Sequence, residues 1–221
     1  NYYWNGLIPQ TIIISSDGEV KYDQNGMINI DELNKVIGEL KGIDINDTEL
    51  SVESFNEYNS IISEKKIKIK STREPGGSFG AEQIRKLIFK SKKQSWSPIT
   101  EALLHISARS DHLEKIIKPN LQKGSWIICD RFRDSTIAYQ GYGNGLKLNV
   151  LEIMQDSIFN KFHADITIIL DMDANKCLKR VKKRKSGIQK YEKMNINFHK
   201  KVRNGFLKIA EKNKKRCYSN K

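Results

Sequence analysis

The chain has 221 residues, of which 38% are apolar, enough for one domain of ordinary size or one domain plus a fragment. No apolar run approaches the ~18 residues that a membrane-spanning helix needs, and no signal peptide is visible. The chain starts at Asn1 rather than Met, so sequence upstream is expected. Cys129, Cys177 and Cys217 are far apart and form no CxxC pair, which favours reduced thiols and a cytoplasmic setting over a disulfide framework. The net charge of +13 is uneven: Lys176 to Lys221 holds 18 Lys or Arg against two acids, and the rest is slightly acidic. Such a tail suits a polyanion such as nucleic acid, a small anion with several phosphates, or a solvated helix face.

In chain order, residues 1–41 read as a small unit. Thr11 to Ile14 is a β-branched strand, Asp17-Gly18 a hairpin turn signal, and Glu19 to Tyr22 the return strand. A short helix then starts at Asp31, with Leu33, Val36, Ile37 and Leu40 at helical spacing. This strand, hairpin and helix resemble the C-terminal half of a thioredoxin-like domain, without that family's Cys pair, so no redox chemistry is assigned. Residues 42–65 are polar and acidic and read as a linker or loosely packed helix.

From Lys66 onward the pattern changes. A strand is predicted into Thr72, broken by Gly76-Gly77, then a helix over Ala81–Phe89 and another from Pro98 to Lys118, disturbed by Pro119. Trp126 to Cys129 is a continuous apolar run, which suits a strand buried on both faces of a parallel sheet. Helices follow over Ser135–Tyr139 and Leu148–Asn160, a strand over Ile166–Leu170, and helices over Asn175–Arg184 and Asn195–Lys212. Strands alternating with helices predict an α/β fold, a parallel sheet sandwiched between helices.

Ligands of open α/β sheets bind at the carboxyl ends of the strands, and three motifs sit there. Thr72-Arg73-Glu74-Pro75-Gly76-Gly77 places an Arg at a strand end before a Gly-rich turn, which suits an anion or is simply a strand-to-helix turn. Asp130-Arg131-Phe132-Arg133-Asp134-Ser135 crowds two arginines and two aspartates at the end of a buried strand. That suits a monophosphate gripped by a guanidinium or a structural ion-pair cluster. Tyr139-Gln140-Gly141-Tyr142-Gly143 offers an amide that can both donate and accept, as reading a pyrimidine edge requires, beside aromatics that could merely pack.

Taken with Glu101 to Arg109 (EALLHISAR), these motifs in order and spacing resemble the thymidylate kinase family from about Thr72 to Asn204. The resemblance implies a P-loop-kinase-like fold, phosphoryl transfer from MgATP to dTMP giving dTDP and ADP, and a role for each matching residue. Arg131 would hold the dTMP phosphate, helped by Arg85 and Arg73. Arg109 and Gln140 would face the base edge, with Thr136 near the base and His105 where relatives stack an aromatic ring. Glu74 would lie near the sugar, and Asp130 beside the acceptor phosphate and the magnesium ion. Arg180, Lys183, Arg184 and Lys185 fall where the family carries a lid over ATP. Relatives are often dimers, so a homodimer is the implied assembly. With the lid explaining part of the tail charge, nucleic acid becomes the lesser partner and no membrane partner is expected.

The sequence also departs from the family. The family's first strand is followed by a phosphate loop of the form GxxxxGK[ST], whose N–H groups and Lys cradle phosphates. None of the fourteen glycines here is followed by Lys, so the motif is absent from these residues. Gly42 to Thr48 lies nearest by position but lacks the second Gly and the Lys. First strand and loop are thus expected to be missing or replaced, which would leave two strand edges open unless the N-terminal strands fill the gap. In the lid, Lys190 and Tyr191 stand for a more usual acidic-Arg arrangement. The chain stops near Cys217-Tyr218, where the family begins an edge strand and a closing helix. The domains are therefore read as 1–41, linker 42–65, and a thymidylate-kinase-like unit at 66–221. Two further readings remain: a catalytically inactive relative that still binds dTMP, and a basic nucleic-acid-binding protein.

Overall fold

The computed structural model describes residues 11–15, 68–90, 96–183 and 190–219. Outside them lie the Asp17-Gly18 hairpin, the return strand, the helix after Asp31, the linker, the Gly42–Thr48 segment and the lid residues Arg184 and Lys185. The side chains of Arg180 and Lys183 are likewise outside the description.

Five strands form one sheet in the order β2-β3-β1-β4-β5. They are β1 (Thr11–Ser15), β2 (Ile69–Arg73), β3 (Trp126–Asp130), β4 (Ile166–Ile169) and β5 (Cys217–Ser219). β2 pairs in parallel with β3, and β4 with β5. β1 lies between β3 and β4 and runs antiparallel to both. The sheet is therefore parallel except for its middle strand. Thr11–Ser15, read above as part of a separate N-terminal unit, is the strand that fills the gap and leaves neither β3 nor β4 at an edge. Its register pairs Ile12 with Asp130 and Ser15 with Ile127. Its first residues thus lie at the carboxyl edge of the parallel strands, and its last at the opposite edge.

The helices are α1 (Phe79–Lys90), α2 (Pro98–His112), α3 (Lys118–Gln122), α4 (Arg133–Thr136), α5 (Leu148–Phe159), α6 (Ala174–Lys183) and α7 (Ile196–Lys212). Ser97 caps α2 by accepting from the Thr100 N–H at 3.2 Å, with Pro98 in the first turn, where its missing N–H is harmless. α2 runs through a π-helical turn, Leu113–Ile117, into α3, so Pro119 sits in the first turn of a new segment rather than breaking an old one. A second π-helical stretch, Ile137–Gly143, continues α4.

The core has two main parts. One packs Ile106, Leu113, Ile117 and Leu121 against Ile127, Cys129, Phe132 and Phe159. The other gathers Tyr139, Leu151, Tyr191, Phe198, Val202 and Phe206. On α7, Phe198, Val202, Phe206 and Ile209 are all buried, as their 3.6-residue spacing requires. α7 packs tightly on the second π-helical stretch: a Cβ at Gly143 would meet the Phe198 ring at 2.6 Å, and one at Gly205 the Tyr142 ring at 2.7 Å.

Candidate active site

The parallel strands β2 and β3 end side by side, and the segments leaving them build one face of the site. After β2 the chain turns through Gly76 (φ 138°) and Gly77 (φ 89°). A side chain at Gly77 would collide with His112 and Thr72, within 2.6 Å of both. The turn is pinned by Glu82, whose Oε1 accepts from the Gly77 N–H at 3.1 Å and from Arg73 Nη2 at 3.2 Å. Partial burial would raise the Glu82 carboxyl, but these bonds outweigh it and hold the group below its usual range.

Arg131 follows β3 directly and has φ 68°, a left-handed backbone that a non-glycine residue adopts at a cost of about 1–3 kcal/mol. The strain aims its guanidinium over the Tyr139 ring, 4.8 Å from the centroid. Arg85, on α1, donates to the Pro75 carbonyl at 2.9 Å and lies 4.9 Å from the Phe89 centroid. Burial lowers the Arg85 guanidinium below its ordinary range, and the neighbouring charge of Arg73 and Arg131 adds to this. Asp130 sits among the same three arginines. Burial nevertheless raises its carboxyl above the usual range, against their pull. Its Oδ1 is buried and has no hydrogen-bond partner among the described residues. Three guanidinium charges against Glu82, paired with Arg73, and the reluctant Asp130 carboxylate leave a positive excess, which an anion would relieve. The orphaned Oδ1 is the type of donor a hard cation takes, and Mg²⁺ typically uses one or two carboxylates plus substrate oxygens.

Of the two arginines and two aspartates at the end of β3, only Asp130 and Arg131 face this cluster. Arg133 is buried, pairing with Asp156 and donating to the Phe162 carbonyl at 2.9 Å. Asp134 is clamped by both terminal nitrogens of Arg216, at 2.7 and 2.8 Å. The ion-pair reading of this motif describes Arg133 and Asp134, while Asp130 and Arg131 face the cluster.

Beneath the cluster lies a buried polar layer. Arg109, 2% exposed, donates through Nε to Glu74 Oε2 at 2.6 Å and through Nη1 to Gln155 at 2.8 Å. Nη2 donates to the Phe132 carbonyl at 3.0 Å, and both terminal nitrogens reach Thr136 Oγ1 at 3.1 Å. Glu74 Oε1 meets His112 Nδ1 at 3.1 Å, and His112 Nε2 meets Thr72 Oγ1 at 2.7 Å. The structure thus places Arg109, Glu74 and Thr136 in one tie between β2, α2 and α4. Any base contact made by Arg109 must share a donor with these acceptors.

The remaining expected residues meet in a second network. Glu101 Oε1 accepts from the Tyr191 hydroxyl at 2.6 Å and from Gln140 Nε2 at 3.2 Å. Lys190 pairs with Glu101 Oε2. Tyr191 Oη also lies 2.9 Å from Gln140 Nε2 and 2.9 Å from His105 Nε2. Burial would raise Glu101, but the bonds from Lys190 and Tyr191 prevail and hold it low. Burial drives His105 down to about 3, outweighing the nearby Glu101 charge, so its imidazole is neutral at ordinary pH. The depth of Tyr191, 8% exposed between α6 and α7, was not visible in a polar stretch of sequence.

The chain also matches known proteins. The sequence model of the family described as Thymidylate kinase matches residues 55–221. A thymidylate kinase of Caulobacter vibrioides is 41% identical over 146 residues, covering 66% of this chain and 70% of that protein. One from Wolbachia sp. subsp. Brugia malayi is 46% identical over 146 residues, covering 66% and 67%. The crystal structure of thymidylate kinase from Ehrlichia chaffeensis superposes with a TM-score of 0.59 at 36% identity, covering 76% of this chain and 82% of that one. With these matches and a shared sheet of parallel strands and helices, the chain belongs to the thymidylate kinase family.

Proposed function

We propose that the chain takes dTMP as a phosphoryl acceptor, with MgATP as donor. The observation that carries this is the cluster of Arg131, Arg85, Arg73 and Asp130 at the carboxyl ends of β2 and β3, built on a strained backbone. In this reading Arg131 grips the acceptor phosphate, bracing its charge against the Tyr139 ring, while Arg85 and Arg73 neutralise the remaining oxygens. Gln140, His105, Thr136 and Arg109 lie toward the base, and Glu74 toward the sugar, where it also fixes Arg109. Asp130 would hold Mg²⁺ through its unpartnered oxygen, and the ion would neutralise charge on the transferring phosphate. Removing one such charge stabiliser typically costs about 100- to 1000-fold in rate.

The described residues do not fit the triphosphate in the family's manner. β1 takes the central place in the sheet but runs the other way, so Ser15, its last residue, lies at the edge remote from Arg131. No described residue supplies a Gly-Lys phosphate loop. This favours a second reading, in which the chain binds dTMP without transferring a phosphate to it.

The test is dTMP-dependent ADP release from MgATP, run beside dTMP calorimetry, with Arg131→Ala as control. Turnover that disappears in the variant supports the kinase reading. Binding lost in the variant with no turnover in either supports the second. A folded chain whose dTMP affinity is the same with and without Arg131 refutes both.

A further inference from the structure

Tyr191 has the contacts of a bound ligand. Its ring stacks on His105 with centroids 6.3 Å apart and 28° between planes, and lies almost parallel to Phe198 at 6.2 Å. Phe89 approaches edge-on at 5.8 Å, and Tyr139 lies 5.1 Å away. The hydroxyl is saturated. It gives its one hydrogen to Glu101 Oε1 and accepts from Gln140 Nε2. Its remaining contact, His105 Nε2 at 2.9 Å, must then also be a donor, which fixes neutral His105 as the Nε2–H tautomer. Gln140 spends both amide hydrogens, one on Glu101 and one on Tyr191. Two of the four residues assigned to the base under the proposed function are therefore occupied by a planar aromatic ring that bears an oxygen.

The segment carrying Tyr191 is short, and Glu192 beside it is buried as well. It is a single 3-10 turn, Tyr191–Lys193, between α6 and α7. Besides Tyr191 itself, its tie to α2 is the Lys190–Glu101 ion pair, in which Lys190 is 30% exposed and Glu101 5%.

We propose that Tyr191 is an internal stand-in for the nucleobase: it closes the base pocket of the unliganded chain, Lys190 latches it to Glu101, and dTMP must displace it to bind. Displacement frees the Gln140 amide and the His105 face together, so base binding and release of the 190–193 turn are one event. The inference rests on the acceptor reading above for the identity of the displacing ligand, but not for the presence of the plug.

Two measurements separate these. First, histidine-selective NMR of the unliganded chain follows His105 from pH 5 to 8. It is expected to stay untitrated in the wild type and to titrate in Tyr191→Ala, where water reaches the ring; Glu101, Arg109, Arg131 and Lys190 are the charges that face it. Second, calorimetry follows dTMP binding. If the open form is about one tenth of the free chain, removing the plug raises affinity roughly tenfold. Tyr191→Phe, which keeps the ring and loses the three hydroxyl bonds, should show a smaller rise, as should Lys190→Ala. Titration of His105 in the wild type, or weaker dTMP binding by Tyr191→Ala and Tyr191→Phe alike, overturns the proposal. If the NMR result is as expected and neither wild type nor variant binds dTMP, the plug is supported and the acceptor reading fails alone.

Discussion

Removing Arg109 tests whether the buried tie beneath the site holds the domain together. Arg109→Ala leaves the Glu74 carboxylate enclosed with only His112 beside it, since Glu74 and His112 are 5% and 0% exposed. It also strips donors from Gln155 and the Phe132 carbonyl. Breaking a buried pair by removing one partner costs about 3–5 kcal/mol, because the other charge is left uncompensated. For a domain of this size each kcal/mol moves Tm by about 2–4 °C, so a drop of roughly 6–20 °C is expected. Urea unfolding gives the free energy directly, and Glu74→Ala/Arg109→Ala completes the cycle. The double variant should be more stable than the sum of the single losses implies, since no lone charge is then buried. A loss below about 1 kcal/mol for Arg109→Ala, the range of exposed pairs, would refute the claim that this pair works through burial.

Other outcomes follow from the cluster above it and from the His105 network. Arg131→Gly and Arg131→Ala should both weaken dTMP binding roughly 10- to 100-fold, the worth of a charged hydrogen bond. Glycine relieves the left-handed backbone, so Arg131→Gly should unfold at higher urea than Arg131→Ala by about 1 kcal/mol. Asp130 has its carboxyl raised above 3.8 in the fold, so its contribution is full below 3.8 and lost as pH rises through the raised value. Asp130→Asn should therefore stabilise the chain at pH 7, with the gain fading below pH ~4 in urea titrations. His105, lowered from 6.5 to about 3, works the other way: its contribution is present above 6.5 and lost toward 3. His105→Gln should remove up to ~1.4 kcal/mol per pH unit from the acid slope in that window, read as the pH dependence of urea midpoints; an unchanged slope would mean that His105 protonates freely.

What the sequence made legible was whatever is encoded locally. The run Trp126 to Cys129 is β-prone and apolar on both faces, and it becomes β3 at the expected place. Phe198, Val202, Phe206 and Ile209 repeat at helical spacing and form the inner face of α7. The π-helical stretches 113–117 and 137–143 carry no such signal, because an extra residue in a helical turn changes no composition. Choosing among Asp130, Arg131, Arg133 and Asp134 required knowing which ion-pair partners lie opposite. Those come from Asp156 and Arg216, far along the chain. Tyr191 was hidden for a similar reason: its neighbours in sequence are polar, while its partners Glu101, His105 and Gln140 arrive from two other elements.

The direction of β1 separates the stability of this sheet from its chemistry. A run such as Thr11-Ile12-Ile13-Ile14 is β-branched throughout, and nothing in its sequence sets a direction, so it can pair either way round. Between β3 and β4 an antiparallel strand satisfies the backbone groups of both neighbours, and antiparallel pairing is if anything slightly the stronger per residue. It also removes two exposed edges. Backbone hydrogen bonding is thus satisfied without a parallel strand. The site is not, because the parallel strands deliver their following loops to one edge only. β2 delivers the Glu74–Ser78 turn there and β3 delivers Arg131, while β1 ends with Ser15 at the opposite edge. The arginine cluster, built from β2, β3, the residue after β3 and α1, needs nothing from β1 beyond a filled gap. A donor loop needs a central strand running parallel to its neighbours. A strand that restores the core can therefore leave phosphate binding at the edge holding Arg131 unrestored.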